Sequence, residues 1–295
     1  MGPVMDIENI IWIEKPFLIR PFMILAFSGW ADAGEVSTSV LWYLNSRLNS
    51  TPFAELKPDN FFVWQTSETE GRRPIVDIQD GMIQSYSFTT TSFRYSKDSL
   101  QEHDLIFLVG PEPEQNWMRY ASLITDFALE YRVERMILLG GTMDAIPHTA
   151  PPLISAVVSH DYLKNEVERY GIELTTYKGP SGIHNLIMMN AAQKDLESIS
   201  LWSHTPHYIQ VVNYLACYAV LQKLSEMLRL KIDLDVARQD SEYLYSQIDM
   251  AIAKKPELQE MLKILKTEYQ KGKSTSQQAI NKDFIKEIED LFKGK

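Results

Sequence analysis

Three short, unbroken apolar runs, each closing on a glycine turn, limit what this chain can fold into. Phe22-Met23-Ile24-Leu25-Ala26-Phe27 leads into Ser28-Gly29-Trp30, and Leu105-Ile106-Phe107-Leu108-Val109 into Gly110-Pro111. Met136-Ile137-Leu138-Leu139 leads into Gly140-Gly141. A strand with one wet face alternates apolar and polar residues, so unbroken runs call for cover on both faces, as in a parallel sheet. The segments that follow repeat apolar residues every three or four positions. Val36, Val40, Leu41, Leu44 and Leu48 follow Gly34, and Trp117, Tyr120, Ala121, Ile124, Phe127, Ala128 and Tyr131 follow Pro113. That period is helical. Strand, glycine turn, helix, strand is the βαβ unit with its right-handed crossover, so the expected class is α/β with a mostly parallel sheet.

Between the first two units, residues 61–64, 74–78 and 82–88 read as a β-meander with Asp80-Gly81 as a hairpin turn. An antiparallel or mixed sheet edge is expected there. Beyond about Lys231 glycine nearly vanishes and the chain turns charged and helix-favouring. Leu234, Ala237, Tyr243, Leu244 and Ile248 precede a break at Lys255-Pro256, and Leu258, Met261, Leu262, Leu265 and Tyr269 follow it. Proline suits the first turn of a helix, so this reads as an antiparallel helical hairpin with Pro256 opening its second arm. Lys271-Gly272-Lys273-Ser274-Thr275-Ser276 then reads as a linker, and Phe284, Ile285, Ile288, Leu291 and Phe292 as a last amphipathic helix. The expected division is residues 1–230 as an α/β core domain, 231–270 as the hairpin, and 271–295 as linker and terminal helix.

Composition removes several function classes. The net charge of -10 opposes a nucleic-acid partner, which demands clustered Lys and Arg to displace phosphate counterions. Cys217 is the single cysteine and lies in the apolar run 214–220, so it is expected to be a small core residue. One thiol supports neither an internal disulfide nor a multi-thiolate metal site. No stretch approaches the ~20 apolar residues that span a bilayer, and no signal-peptide pattern opens the chain. A cytoplasmic protein with no membrane association is expected.

In a parallel sheet the loops leaving the carboxyl ends of the strands meet along one edge, where ligands bind. Four loops qualify: residues 28–34, 110–113, 140–144 and 179–184. They supply Gly29, Trp30, Asp32, Gly34, Glu112, Gly140, Gly141, Thr142, Asp144, Ser181 and His184 as candidates for a ligand pocket. Each has an ordinary structural duty beside the functional one. Glycine serves tight turns, and Asp32 suits the N-cap of the helix after it. Glu112 and Glu114 are either an acid–base pair or acidic residues complementing a helix start. His204 and His207 flank Pro206, which disfavours the regular helix that would converge two histidines on a metal, so packing is expected of them. Ser181 and His184 hint at nucleophile and base, but Gly179-Pro180-Ser181-Gly182 is the wrong frame for a nucleophile elbow. Neither a phosphate-loop lysine pattern nor a dinucleotide glycine fingerprint is present. No catalytic set, metal or cofactor is expected.

Taken in order, Gly29-Trp30-Ala31-Asp32-Ala33-Gly34, Arg73-Pro74, Gly110-Pro111-Glu112-Pro113 with Trp117, Leu139-Gly140-Gly141, Gly179-Pro180-Ser181-Gly182, and Leu201-Trp202 through Pro206-His207-Tyr208 resemble the proteasome assembly chaperone family, second type, in its bacterial and archaeal branch. The resemblance covers about residues 16–215. It implies a three-layer α/β/α fold akin to nucleoside phosphorylases and peptidyl-tRNA hydrolases, and a homo-oligomer, often a trimer. In eukaryotes the family assembles proteasome α-rings, and bacterial relatives usually add a helical hairpin. Some archaeal relatives dock through a hydrophobic-Tyr-any tail, from which Phe292-Lys293-Gly294-Lys295 departs. An ATP-grasp label carried by some relatives finds no lysine-and-carboxylate pattern here. The family supplies no catalytic residues, so the resemblance implies a non-enzymatic assembly protein with protein partners, proteasome subunits if the host has them. The alternative is a nucleoside or nucleotide enzyme, with Asp32, Glu112, Asp144 and Ser181 lining its pocket and the N–H groups of Gly140 and Gly141 holding an anion.

Overall fold

The computed structural model describes residues 9–63, 74–97 and 103–271. Trp64, Arg73 and the segment 272–295, with most of the expected linker and the terminal helix, lie outside them. Strands β1 (Ile10–Trp12), β2 (Phe22–Ser28), β3 (Thr51–Leu56), β6 (Thr91–Ser96), β7 (Leu105–Pro111), β8 (Arg135–Asp144), β9 (Ile154–Val158), β10 (Glu173–Leu174) and β11 (Glu197–Pro206) form one mixed sheet. Its order is β1-β3-β6-β7-β2-β8-β11-β9-β10. The four central strands β7, β2, β8 and β11 are parallel. β1, β3 and β6 make an antiparallel flank, and β9 runs antiparallel to β11.

The three apolar runs are three of the four central strands, β2, β7 and β8. Along β2, Met23, Leu25 and Phe27 enter one core while Ile24 and Ala26 enter the other, which is why no polar residue interrupts the run. The first face is covered by α2 (Trp117–Glu130) and α4 (Ile183–Gln193). The second is covered by α1 (Val36–Arg47), α3 (Tyr162–Arg169) and α5 (Tyr214–Leu228). The result is a three-layer α/β/α fold. Cys217 is buried on α5, and burial pushes its thiol up to about 12. Beyond the core, α6 (Asp235–Ala253) and α7 (Pro256–Gln270) pack Leu244, Ile248, Ile252, Leu258, Leu262 and Leu265 against Tyr208 and Ile209. No helix of the described residues is long and apolar enough to cross a membrane.

The meander differs from expectation. Residues 61–63 are not a strand: a 3-10 turn at Pro58–Asn60 tucks Phe61 and Phe62 into the core. The remaining two segments, β4 (Ile75–Gln79) and β5 (Met82–Ser87), pair only with each other among the described residues. Asp80 (φ 51°) and Gly81 (φ 77°) take the left-handed conformations of a type I′ turn, as Asp-Gly suggested. The antiparallel edge of the main sheet is instead built by β1, β3 and β6.

Candidate functional site

The parallel strands β7, β2, β8 and β11 deliver their carboxyl ends to one edge, and the loops nominated above gather there. Asp32 is spent on structure. Its Oδ1 accepts from the Ser37 N–H (2.7 Å), the Ser37 hydroxyl (2.6 Å) and the Thr38 N–H (3.3 Å), and its Oδ2 from the Thr38 hydroxyl (2.6 Å). The two backbone N–H groups are orphan donors of the first turn of α1, so the carboxylate caps the helix from outside its N-cap position, which Glu35 occupies. Gly34 (φ 65°) follows, its carbonyl accepting from the Asn213 N–H at 2.8 Å; a Cβ there would stand 3.0 Å from that of Asn213. Asn213 in turn caps α5 through the Ala216 N–H (3.1 Å).

Replacing Asp32 with alanine removes four hydrogen bonds and leaves buried donors unmet. The expected loss of unfolding free energy is about 2 kcal/mol, read by urea denaturation. A loss below about 0.5 kcal/mol, the scale of an uninvolved surface site, would mean that the carboxylate does not hold this turn.

Glycine at 141 is dictated by a neighbouring loop. Its N–H donates to the Ala31 carbonyl at 2.7 Å, and a Cβ would stand 2.3 Å from the Ala33 carbonyl oxygen. That N–H is engaged and is not free to hold an anion. At Gly140 the missing Cβ makes room for the Trp202 ring, 2.8 Å from where it would stand.

Trp202 is the centre of the first cluster. Its ring meets exposed Trp30 edge-on at 6.5 Å and His184 at 5.1 Å. Trp30 also covers Gly182, where an added Cβ would meet the Trp30 ring at 3.3 Å and Glu112 Oε1 at 3.1 Å. Glu112 Oε1 accepts the Ile183 N–H at 2.8 Å and so caps α4. This corrects the expectation that Glu112 and Glu114 complement the helix after them. That helix, α2, begins at Trp117, and Glu114 bonds the backbone N–H of Val63. His184 is fully buried; its Nδ1 meets the Ser200 hydroxyl at 3.2 Å, and its Nε2 finds no partner among the described residues. Burial pushes its pKa down to about 3, so the ring is neutral. Ser181 does not join it. Its exposed hydroxyl donates to the Gly182 carbonyl (3.0 Å) and accepts from Asn185 (3.0 Å).

A second cluster adjoins the first. Asp144, closing β8, accepts the Ala145 N–H at Oδ1 (2.7 Å) and contacts His204 Nδ1 at Oδ2 (2.8 Å). The His204 hydrogen bond holds the Asp144 carboxyl below its usual range, against the opposing effect of burial. The far nitrogen of His204, Nε2, meets the Ser155 hydroxyl at 2.9 Å. His207 points elsewhere, its Nδ1 on the Asp144 carbonyl (2.9 Å), so the two histidines do not converge. Thr142, also half-buried, spends its carbonyl on the Thr205 hydroxyl (3.1 Å). Ser155 pairs across the ladder with Trp202, which joins the two clusters.

The edge therefore assembles Trp30, Glu112, Gly140 and His184 around Trp202, and sets Asp144 beside it. Asp32, Gly34 and Gly141 are fixed in the turn that starts α1. Sequence reasoning missed Ser155 and Ser200, which are polar residues inside strands and signal nothing locally.

The sequence profile of the PAC2 family matches residues 26–252. Among solved structures, the fold is similar to a proteasome-assembly chaperone homologue of Mycobacterium tuberculosis: TM-score 0.72, 22% identity, covering 81% of this chain and 98% of that one. It is similar to a PAC2 family protein of Streptomyces avermitilis: TM-score 0.70, 27% identity, covering 78% and 95%. It is also similar to PbaB of Pyrococcus furiosus, described as an archaeal proteasome activator: TM-score 0.64, 20% identity, covering 82% and 97%. No curated protein matches the sequence.

Proposed function

The chain belongs to the PAC2 family, and from that premise we propose that it is a homo-oligomeric assembly protein that engages protein partners of the proteasome class. The single observation that carries this reading is the β4–β5 ribbon. Among the described residues it pairs with no strand of the main sheet, and Ile75, Val76, Ile78, Met82, Ile83 and Tyr86 are all exposed on it. Ile75 and Ile83 are 71% and 69% exposed. An isolated two-stranded hairpin is marginal in water, and an apolar patch of this kind marks a protein-binding surface. Such a surface needs cover from the moment the chain folds, and a second copy is the partner always present.

The role itself calls for no bond-making step. Of the groups nominated for a nucleotide pocket, the Asp32 carboxylate, Glu112 Oε1 and the Gly141 N–H each already serve the chain's own backbone. The similar proteasome-assembly chaperone homologue and proteasome activator support the partner class. The helical extension from Asp235 is proposed as a second contact surface, separate from the α/β core.

Ile78 and Ile83 face each other across the ribbon. Converting both to aspartate is expected to turn a homo-oligomer, a trimer on this reading, into a folded monomer in analytical ultracentrifugation, with an unchanged circular dichroism spectrum. A monomeric wild type, or a variant that keeps the wild-type mass, would contradict the proposal.

A further inference from the structure

We propose that Ser155, His204 and Asp144 form a nucleophilic triad that hydrolyses uncharged carboxylic esters bearing an apolar acyl group. Three adjacent strands supply one residue each. Ser155 is the second residue of β9, His204 lies near the end of β11, and Asp144 closes β8. The strand registers fix their relation. Pro206 pairs with Asp144 and Thr142 with His204, and Trp202 pairs with Ser155. His204 is thus two residues from the partner of each of the other two, on the same face of β11, and its backbone N–H is tied to the Leu153 carbonyl (3.0 Å). Groups held on rigid, paired strands keep a reactive geometry better than groups on loops.

The order of contacts around the imidazole is that of a general base. Asp144 Oδ2 lies 2.8 Å from Nδ1, and the Ser155 hydroxyl lies 2.9 Å from Nε2. An ionised carboxylate only accepts, so Nδ1 carries the proton and donates it. Neutral His204 then presents a lone pair at Nε2, which only the serine O–H can satisfy. This alignment defines the Ser-His-Asp arrangement by roles, whatever the chain order, which here runs Asp, Ser, His.

Two members of the triad reach solvent. It lies at the carboxyl edge of the parallel strands, where the side chains of His204 and Asp144 remain 19% and 29% exposed. Ser155 itself is 7% exposed. Trp202 stands beside Ser155 with exposed Trp30 beyond it, an aromatic wall for an apolar acyl group. The ionised Asp144 disfavours an anionic substrate.

The chemistry balances without a cofactor. Ser155 Oγ bonds to the ester carbonyl carbon as its proton passes to His204 Nε2. The bond to the alcohol oxygen breaks, and the imidazolium protonates the leaving alkoxide. Water then attacks the acyl-serine, giving its proton to His204, and the acid leaves as Ser155 Oγ takes that proton back. Asp144 acts through His204 and is a positioning residue. The inference does not depend on the assembly role.

The test is covalent labelling of the full chain with an alkyl fluorophosphonate, in which an Oγ–P bond forms and fluoride leaves, alongside turnover of p-nitrophenyl butyrate. The wild type is expected to carry one label, on Ser155, and to release nitrophenolate. Ser155→Ala is expected to abolish both, and His204→Gln to slow labelling at least about a hundredfold, the usual worth of a general base. Asp144→Asn should slow labelling, because an amide can donate to Nδ1 and hold the wrong tautomer, and Asp144→Glu should restore part of the rate; a merely structural Asp144 would show no such rescue. An unlabelled or inactive wild type that is folded by circular dichroism overturns the proposal, as does labelling or turnover retained in Ser155→Ala.

Discussion

Phe127→Ala is expected to lower the free energy of unfolding by about 4 kcal/mol, the middle of the range for removing a buried phenylalanine ring. Phe127 is fully buried on the inner face of α2 and touches four other rings. Phe93 stands 4.1 Å away between centroids, Tyr131 5.0 Å, and Phe53 and Trp12 5.8 Å each. Those partners come from β6, β3, β1 and the end of α2, so the ring joins the antiparallel flank of the sheet to its covering helix. Rings already held by one another cannot collapse into the space, so the cavity stays open and its cost adds to the lost transfer energy. Phe127→Leu keeps most of the volume and should cost no more than about 1.5 kcal/mol. Urea denaturation followed by tryptophan fluorescence reads both. A cost below about 1 kcal/mol for alanine would mean that the flank is not packed through this ring.

Stability is expected to fall as pH drops below 6.5, well before the carboxylates titrate. Burial holds His184 at a pKa of about 3, against 6.5 for an unperturbed histidine. The folded ring stays neutral while the unfolded chain takes up a proton below 6.5. The unfolded state then binds more protons, so the contribution is complete above 6.5 and is lost as pH falls toward the folded value. At pH 5 the gap of about 1.5 units amounts to about 2 kcal/mol. His148 adds to it with the same sign. Its desolvation lowers its pKa, opposed in part by Asp249, whose Oδ1 lies 3.2 Å from His148 Nε2. Asp144 contributes in a lower window, because its pKa lies below 3.8 and its stabilisation is lost only as pH falls through that region. Urea midpoints at pH 7 and pH 5 therefore isolate the histidines. His184→Gln should flatten the slope, and equal wild-type stability at the two pH values would contradict the burial of a neutral imidazole.

The sequence shows most readily what repeats locally. The parity of Met23, Leu25 and Phe27 against Ile24 and Ala26 gives a strand covered on both faces, and β7 and β8 read the same way. The helical period finds α1 and α2, and the Asp80-Gly81 turn was legible because only left-handed backbone closes a two-residue hairpin. The antiparallel flank was not legible. β3 contains Pro52 and a register shift beside it, and β6 carries only two apolar residues, Phe93 and Tyr95, among polar ones, so neither stands out as a strand. Residues 61–63 carry strand-like composition, yet Phe61 and Phe62 are buried from a turn, because burial rather than propensity decides where aromatic side chains go.

At the site, local duties were more legible than long-range ones. Asp32 caps the helix that follows it, a contact of five and six residues. Glu112 caps a helix 71 residues downstream, and only the sheet order brings it there. The Ser155 and Asp144 contacts of His204 span 49 and 60 residues and depend on two strand registers at once. No spacing in the sequence encodes such a cluster.

The assembly role is tested most directly by native mass spectrometry of the tagged full chain, captured gently from the lysate of its own host. The account predicts a homo-oligomer carrying a stoichiometric proteasome-class subunit, with both the oligomer and the bound subunit lost when Ile78 and Ile83 are converted to aspartate. A bare monomer, or a homo-oligomer that never carries such a subunit, would contradict it.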